Sequence, residues 1–145
     1  MPQGTDSTAD AARTAWRRMR ELIASPDIVG AEHRFMNEVG LTAGPVRALR
    51  ALLTVGPQPM RVLADELGCD KSYVTGLVKP LLAKELVTLE PDASDGRVKV
   101  VTLTEAGANV AARAQRVHET PPEAISSMAP EALQELARLL GEASG

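Results

Sequence analysis

Aromatic side chains are nearly absent, with one Trp, one Tyr and one Phe in 145 residues. A core without rings must be assembled from Leu, Val, Ala and Met, a mix that favours helices. Cysteine is equally scarce: Cys69 stands alone, which excludes an internal disulfide. Residues 1–24 lack the basic start, apolar run and small-residue cleavage pattern of a secretory signal, so a cytoplasmic protein is expected. Charges, Pro and Gly interrupt every apolar run before the ~20 residues a membrane helix needs, so no membrane role is expected. A basic excess is missing too, since 16 Lys and Arg face 19 Asp and Glu for a net charge of −3. That counts against a non-specific nucleic-acid coat but leaves room for a local contact surface.

The marks of catalysis are also wanting. No serine lies in a nucleophile elbow, no glycine-rich loop follows a strand, and His33 and His118 have no partners at metal-ligand spacing. The sequence therefore predicts neither an enzyme nor a cofactor or metal site.

What is present is helical periodicity with clear punctuation. Residues 1–7 (MPQGTDS) read as a disordered tail, and residues 8–145 as a single domain. Ala12, Trp16, Met19 and Ile23 recur at helical spacing opposite Arg13, Arg17 and Arg20, until Ser25 and Pro26 stop the pattern. A second, shorter helix over 28–39 ends at Gly40. Thr42 looks like an N-cap, with Pro45 tolerated in the first turn of a third helix running to about Val55. Residues 56–59 (GPQP) read as a turn, with Pro59 suited to start a short helix over 60–67. Gly68 and Cys69 connect tightly to another helix from about Asp70, and Ala64 and Gly68 allow close approach, which is a helix-turn-helix pattern. Cys69 near a helix N-terminus could sense redox state; a small apolar residue filling the turn is the better reading.

After Leu86 the period changes to 2. Residues 87–89 and 98–103 read as strands around the polar loop PDASDGR, making a hairpin. Thr104 caps a helix to about His118, Thr120-Pro121-Pro122 breaks it, and a last helix from Pro130 carries Leu133, Leu136, Ala137 and Leu140 on one face. The order is that of a winged helix-turn-helix: a mainly α fold with a small β-hairpin wing, offering a rod for the major groove and a loop for the adjacent backbone or minor groove. On the helix from Asp70, a buried stripe of Val74, Leu77, Val78 and Leu81 leaves Ser72, Thr75, Gly76 and Lys79 outward, flanked by Lys71 and Tyr73.

From Leu41 to Leu140 the chain resembles the MarR family of transcriptional regulators. The matching segments are LTAGPVRALRALL, VLADELGCDKSYVTGLVKPLLAKELV, DASDGRVKVVTLTEAG and APEALQELARLL. Asp95, Arg97, Leu103, Thr104 and Gly107 fill the family's wing pattern in register. The resemblance implies N- and C-terminal dimerisation helices (8–40 and 104–145) around a DNA-binding lobe (41–103). It further implies a homodimer on double-stranded DNA with a pseudo-palindromic promoter operator, and a ligand-responsive repressor as the function. Lys71, Ser72, Tyr73, Thr75 and Lys79 would be recognition-helix contacts and Arg97 the wing contact, with Asp95 orienting the wing or simply forming its turn.

The family also implies a small-molecule effector, often an aromatic acid. Arg13, Trp16, Arg17, Arg20 and His33, with Phe35, are the nearby aromatic or cationic candidates, although Trp16 on its apolar stripe also suits core or dimer interface. Three departures stand out. Gly96 replaces a second wing cation, Pro80 lies inside the recognition helix, and Glu85 stands where relatives often end that helix with Gly. Gly96 and Pro80, together with the acidic balance, motivate an alternative, a winged-helix interaction or dimerisation module with weak DNA affinity. Pro80 and Gly76, at i and i+4, also predict a bend near 76–80.

Overall fold

The computed structural model describes residues 4–144. In chain order these form α1 (Gly4–Ile23), α2 (Pro26–Val39), α3 (Ala43–Val55), β1 (Gln58–Pro59), α4 (Met60–Leu67) and α5 (Lys71–Ala83). There follow β2 (Val87–Pro91), β3 (Lys99–Leu103), α6 (Glu105–Glu119), α7 (Glu123–Ser126) and α8 (Pro130–Ala143). They fall into two units, residues 32–119 and residues 1–31 with 120–145. The larger unit includes the whole of α6, where Ala111 and Ala114 are buried and the helix lies along α3.

The core of residues 32–119 is aliphatic, as the scarcity of rings requires. Leu49, Leu52, Leu63, Val74, Val78, Leu81 and Val101 are fully buried, and the cluster continues through Leu41, Leu67, Leu86, Val87 and Ala111. Helix ends follow from local chemistry. Gly40 and Gly68 terminate α2 and α4 with φ of +67° and +62°. At the end of α4 the Cys69 amide donates to the Ala64 carbonyl (3.0 Å) and the Gly68 amide to that of Asp65 (3.1 Å), a Schellman closure. Gly68 is thus needed for its left-handed backbone rather than for space, since a Cβ there would meet nothing. Cys69 packs against the core as a small apolar residue would. Thr42 occupies the N-cap of α3 in extended conformation but makes no side-chain capping bond.

The sheet differs from a bare hairpin. Gln58 and Pro59, expected in a turn, form β1 and pair with Val101 and Val100, giving a three-stranded antiparallel sheet of order β1-β3-β2. The turn signals of the two prolines mask this pairing, which is carried by two residues at an edge where proline is tolerated. Strand β2 runs on to Pro91 opposite Lys99. Val98 is outside β3, and its carbonyl accepts from the Asp92 amide (2.9 Å) to close the wing loop.

In the other unit, α1 starts at Gly4, four residues before the expected boundary at Thr8; Met1 to Gln3 of the expected tail lie outside the described residues. The Glu123 amide donates to Asp27 Oδ2 at 2.9 Å, tying α7 to the first turn of α2. The apolar stripe of α1 is left open, with Trp16 58% and Ile23 66% exposed, so Trp16 is not a core residue of the single chain. Leu139 and Leu140 of α8 are exposed as well. No helix among the described residues is long and apolar enough to cross a membrane.

Candidate nucleic-acid interface

Helix α5 is positioned by its buried stripe and by its cap. Val74, Val78 and Leu81 are buried and Leu77 is half-buried. Lys71, Ser72, Tyr73, Thr75, Gly76 and Lys79 are all exposed, as the 100° periodicity predicts. Gly44 in the first turn of α3 lets the Leu77 side chain approach so closely that a Cβ on it would lie 2.4 Å from Leu77 Cδ2. Asp70 caps the helix, its Oδ1 accepting from Ser72 Oγ (2.7 Å) and from the Tyr73 amide (2.9 Å). The Ser72 hydroxyl first, then the Tyr73 amide, hold the Asp70 carboxyl below its usual range.

These bonds define what the hydroxyls can read. Ser72 donates to Asp70, and Thr75 Oγ1 donates to the Lys71 carbonyl (2.9 Å). Both oxygens therefore face outward as acceptors, suited to the exocyclic amines of adenine or cytosine. Tyr73, 58% exposed, adds an apolar ring, while Lys71 and Lys79 supply charge. The helix is continuous across Pro80, although the proline leaves the Gly76 carbonyl without its i+4 donor.

The wing is organised by two carboxylates. Asp92 Oδ1 accepts from the Ser94 amide (2.8 Å), the Ser94 hydroxyl (2.5 Å) and the Asp95 amide (3.1 Å). Asp95 accepts from the Arg97 amide (3.1 Å), Nε (3.1 Å) and Nη2 (3.3 Å). The Arg97 guanidinium, followed by its amide, pulls the Asp95 carboxyl below its ordinary value. Asp95 thus does more than form a turn: it grips the guanidinium as a bidentate partner while the Arg97 side chain stays 92% exposed. Lys71, Thr75, Asp95 and Arg97 line one groove of about 680 Å³ between α5 and the wing, so residues 20 to 26 positions apart in sequence meet at one surface. Arg61 and Lys99 also line it. Sequence reasoning missed both, because a single cation on a short helix or strand looks like any solvated charge.

Arg13, Trp16, Arg17 and Arg20 sit exposed on α1 and His33 exposed on α2. A cavity of about 260 Å³ lies within residues 32–119, and none of these five lines it. Phe35, Met36, Val46, Arg47, Arg50 and His118 are among its walls. Arg50 Nε donates to Gln115 Oε1 (2.9 Å), and burial lowers the pKa of its guanidinium against the opposing pull of Glu32 and Glu119. Arg113 stacks over the Phe35 ring at 5.5 Å while paired with Glu38. Sequence order favoured the N-terminal arginines; the cavity is built by α2, α3 and α6, whose meeting only the tertiary fold reveals.

A helix-turn-helix of α4 and α5, with a sheet whose β2–β3 loop stands beside the second helix, defines a winged helix-turn-helix protein. The MarR family model matches residues 39–98, from the end of α2 through the loop that precedes β3. The HTH-type transcriptional repressor NicR of Pseudomonas putida is 40% identical over 68 residues, or 47% of this chain and 43% of that protein, so less than half of that relative's length is matched. The transcriptional regulator Tm0710 of Thermotoga maritima superposes with a TM-score of 0.67 at 26% identity, over 92% of this chain and 93% of that one. Reduced MarR of E. coli has the same fold, with a TM-score of 0.72 at 19% identity over 88% and 93% of the two chains. Residues 39–98 thus match the MarR family, and the chain as a whole is similar in fold to winged helix-turn-helix regulators of that kind.

Proposed function

We propose that the protein is a sequence-specific DNA-binding repressor that occupies a pseudo-palindromic promoter operator as a homodimer and responds to a small acidic effector. The observation that carries this reading is the shared groove of α5 and the wing: Lys71 and Thr75 on one wall, and Arg97, anchored by Asp95, on the other. Lys71, Ser72, Tyr73, Thr75 and Lys79 present acceptors, a ring and charge to the major groove, while Arg97 reaches the neighbouring minor groove or backbone. Kinship with the repressor NicR supports repression over activation.

Dimerisation is supported by the open apolar faces of α1 and α8, where Trp16, Ile23, Leu139 and Leu140 are exposed in the single chain. In this reading the helices of residues 8–40 and 104–145 contribute the dimer contacts, and 41–103 is the DNA-binding lobe. The effector reading rests on the cavity of about 260 Å³, with Phe35 for a ring and Arg47 or Arg50 for a carboxylate. An engineered cavity of ~150 Å³ holds benzene, so one ring with an acid group fits.

Selection of genomic fragments on the purified protein at stated salt tests the proposal. A recurrent palindromic fragment is expected, and indiscriminate or absent retention would favour the alternative of an interaction module. Sedimentation equilibrium of the protein alone is expected to report about twice 15.4 kDa; a monomer at micromolar concentration would overturn the dimer.

A further inference from the structure

We infer that Arg61 and Lys99 form a second, sequence-blind contact line that seats one DNA phosphate backbone in the groove between α4, α5 and the wing. The inference rests on the DNA-binding reading above and names residues and a mode of contact that reading does not contain. Arg61 is the second residue of α4, Lys71 the first of α5, Arg97 the wing tip, and Lys99 the first residue of β3; all four line the same groove. Cations thus come from three different segments and surround a channel far larger than one small anion.

The acids present offset only part of this charge: Asp95 spends both oxygens on Arg97, and Asp92, whose Oδ1 accepts from the neutral Ser94 and Asp95 donors, keeps its own charge, which leaves four cations against two carboxylates at the groove. Arg61, Lys71 and Lys99 have no carboxylate partner among the described residues. Pro59, Met60, Leu89 and Val98 make the intervening surface apolar. An apolar floor with separated cations on its rim suits the sugar–phosphate edge of a duplex, whose charges are spaced and whose sugars are apolar. The pairing of β1 with β3 at Gln58–Val101 and Pro59–Val100 fixes the start of α4 beside the start of β3, so backbone hydrogen bonds hold the segments that carry Arg61 and Lys99 next to each other at the groove.

The geometry assigns these two residues to affinity without discrimination, and Lys71, Ser72, Tyr73 and Thr75 to base reading. The test uses the full chain and two fluorescein-labelled duplexes of equal length, one recovered by the genomic selection and one of scrambled sequence, titrated by anisotropy across a salt series. Arg61→Ala and Lys99→Ala are each expected to weaken both duplexes several-fold and by the same factor, and to lower the salt slope by about 1 per bound protomer. Arg61→Lys should restore the slope. Arg18→Ala, on the exposed face of α1, serves as the charge control. An unchanged slope in both alanine variants, with Arg97→Ala still impaired, would overturn the inference and leave the DNA-binding reading standing. Loss of discrimination between the duplexes in either variant would overturn the phosphate assignment. A wild-type chain that binds neither duplex would overturn the functional reading, and this inference with it. Thermal melts of the variants, expected to match wild type because both side chains are exposed, separate contact loss from misfolding.

Discussion

A Cβ added to Gly107 would lie 1.7 Å from the carbonyl oxygen of Leu86. Helix α6 can therefore rest on the junction between α5 and β2 only because this position has no side chain. The same carbonyl accepts from the Thr104 amide (3.0 Å), Thr104 Oγ1 donates to the Glu85 carbonyl (2.8 Å), and the Gly107 amide donates back to Thr104 Oγ1 (3.0 Å). The Leu-Thr-x-x-Gly motif is thus a weld between helix cap and wing root. Gly107→Ala is expected to destabilise by at least about 2 kcal/mol, read as a lower urea midpoint, because backbone must move. Gly96→Ala, whose Cβ would meet nothing, is expected to be near neutral. Equal midpoints for the two variants would dismiss the weld.

Glu85 is the one non-glycine with positive φ (+56°) among the described residues. Its amide donates to the Leu82 carbonyl and the Leu86 amide to that of Leu81, the same Schellman closure Gly68 makes for α4. The chain therefore takes the left-handed route that Gly68 takes at the end of α4, here with a side chain that strains it. Glu85→Gly is expected to raise stability by about 0.5–1 kcal/mol, the left-handed penalty less the entropy glycine loses. A lower midpoint at unchanged m-value would refute this.

These two positions show what the sequence makes legible. The motif register marked Thr104 and Gly107, and the departure at Glu85 was visible, because both are local patterns. The buried stripe of α5 was equally plain, since Val74, Val78 and Leu81 repeat at one period. Strand β1 was not, because two residues paired across 42 or so positions carry no periodic signal and their prolines read as a turn. The cavity failed for a related reason: Phe35, Arg50 and His118 converge only after α2, α3 and α6 pack. Arg61 and Lys99 acquire meaning from the groove they share, which no spacing in the chain encodes.

Pro80 costs α5 its bond to the Gly76 carbonyl, and an added Cβ at Gly76 would meet open space. If glycine relieves the ring's crowding by letting its backbone shift, the two positions are coupled. Gly76→Ala is expected to gain up to about 1 kcal/mol in a Pro80→Ala background and less, or nothing, with Pro80 present. Additive effects in the double-mutant cycle would make the pairing incidental.

Asp95 offers a test in which two roles predict opposite signs. As a negative charge beside a DNA groove, its removal would strengthen binding; as the bidentate anchor of Arg97, its removal would weaken it. Asp95→Asn is expected to weaken operator binding, because an amide cannot hold the guanidinium as an ion pair. Arg97→Ala is expected to weaken it further, on the order of 10-fold or more. Tighter binding by Asp95→Asn would reduce Asp95 to a bystander charge.

Asp70 couples the recognition helix to acid. Its folded pKa is depressed by the Ser72 hydroxyl and the Tyr73 amide, so the carboxylate stabilises the folded state fully above its unfolded value near 3.8. That contribution is lost as pH falls through the unfolded value toward the depressed folded one. Asp70→Ala should therefore melt below wild type at pH 7, with the gap closing below about pH 4. Asp70→Asn, which keeps an acceptor for the Tyr73 amide but cannot titrate, should sit between them at pH 7 and show a flatter acid limb. Melting curves from pH 7 down to pH 3 decide the matter: a gap between wild type and Asp70→Ala that stays constant across that range would show that the charged cap contributes nothing.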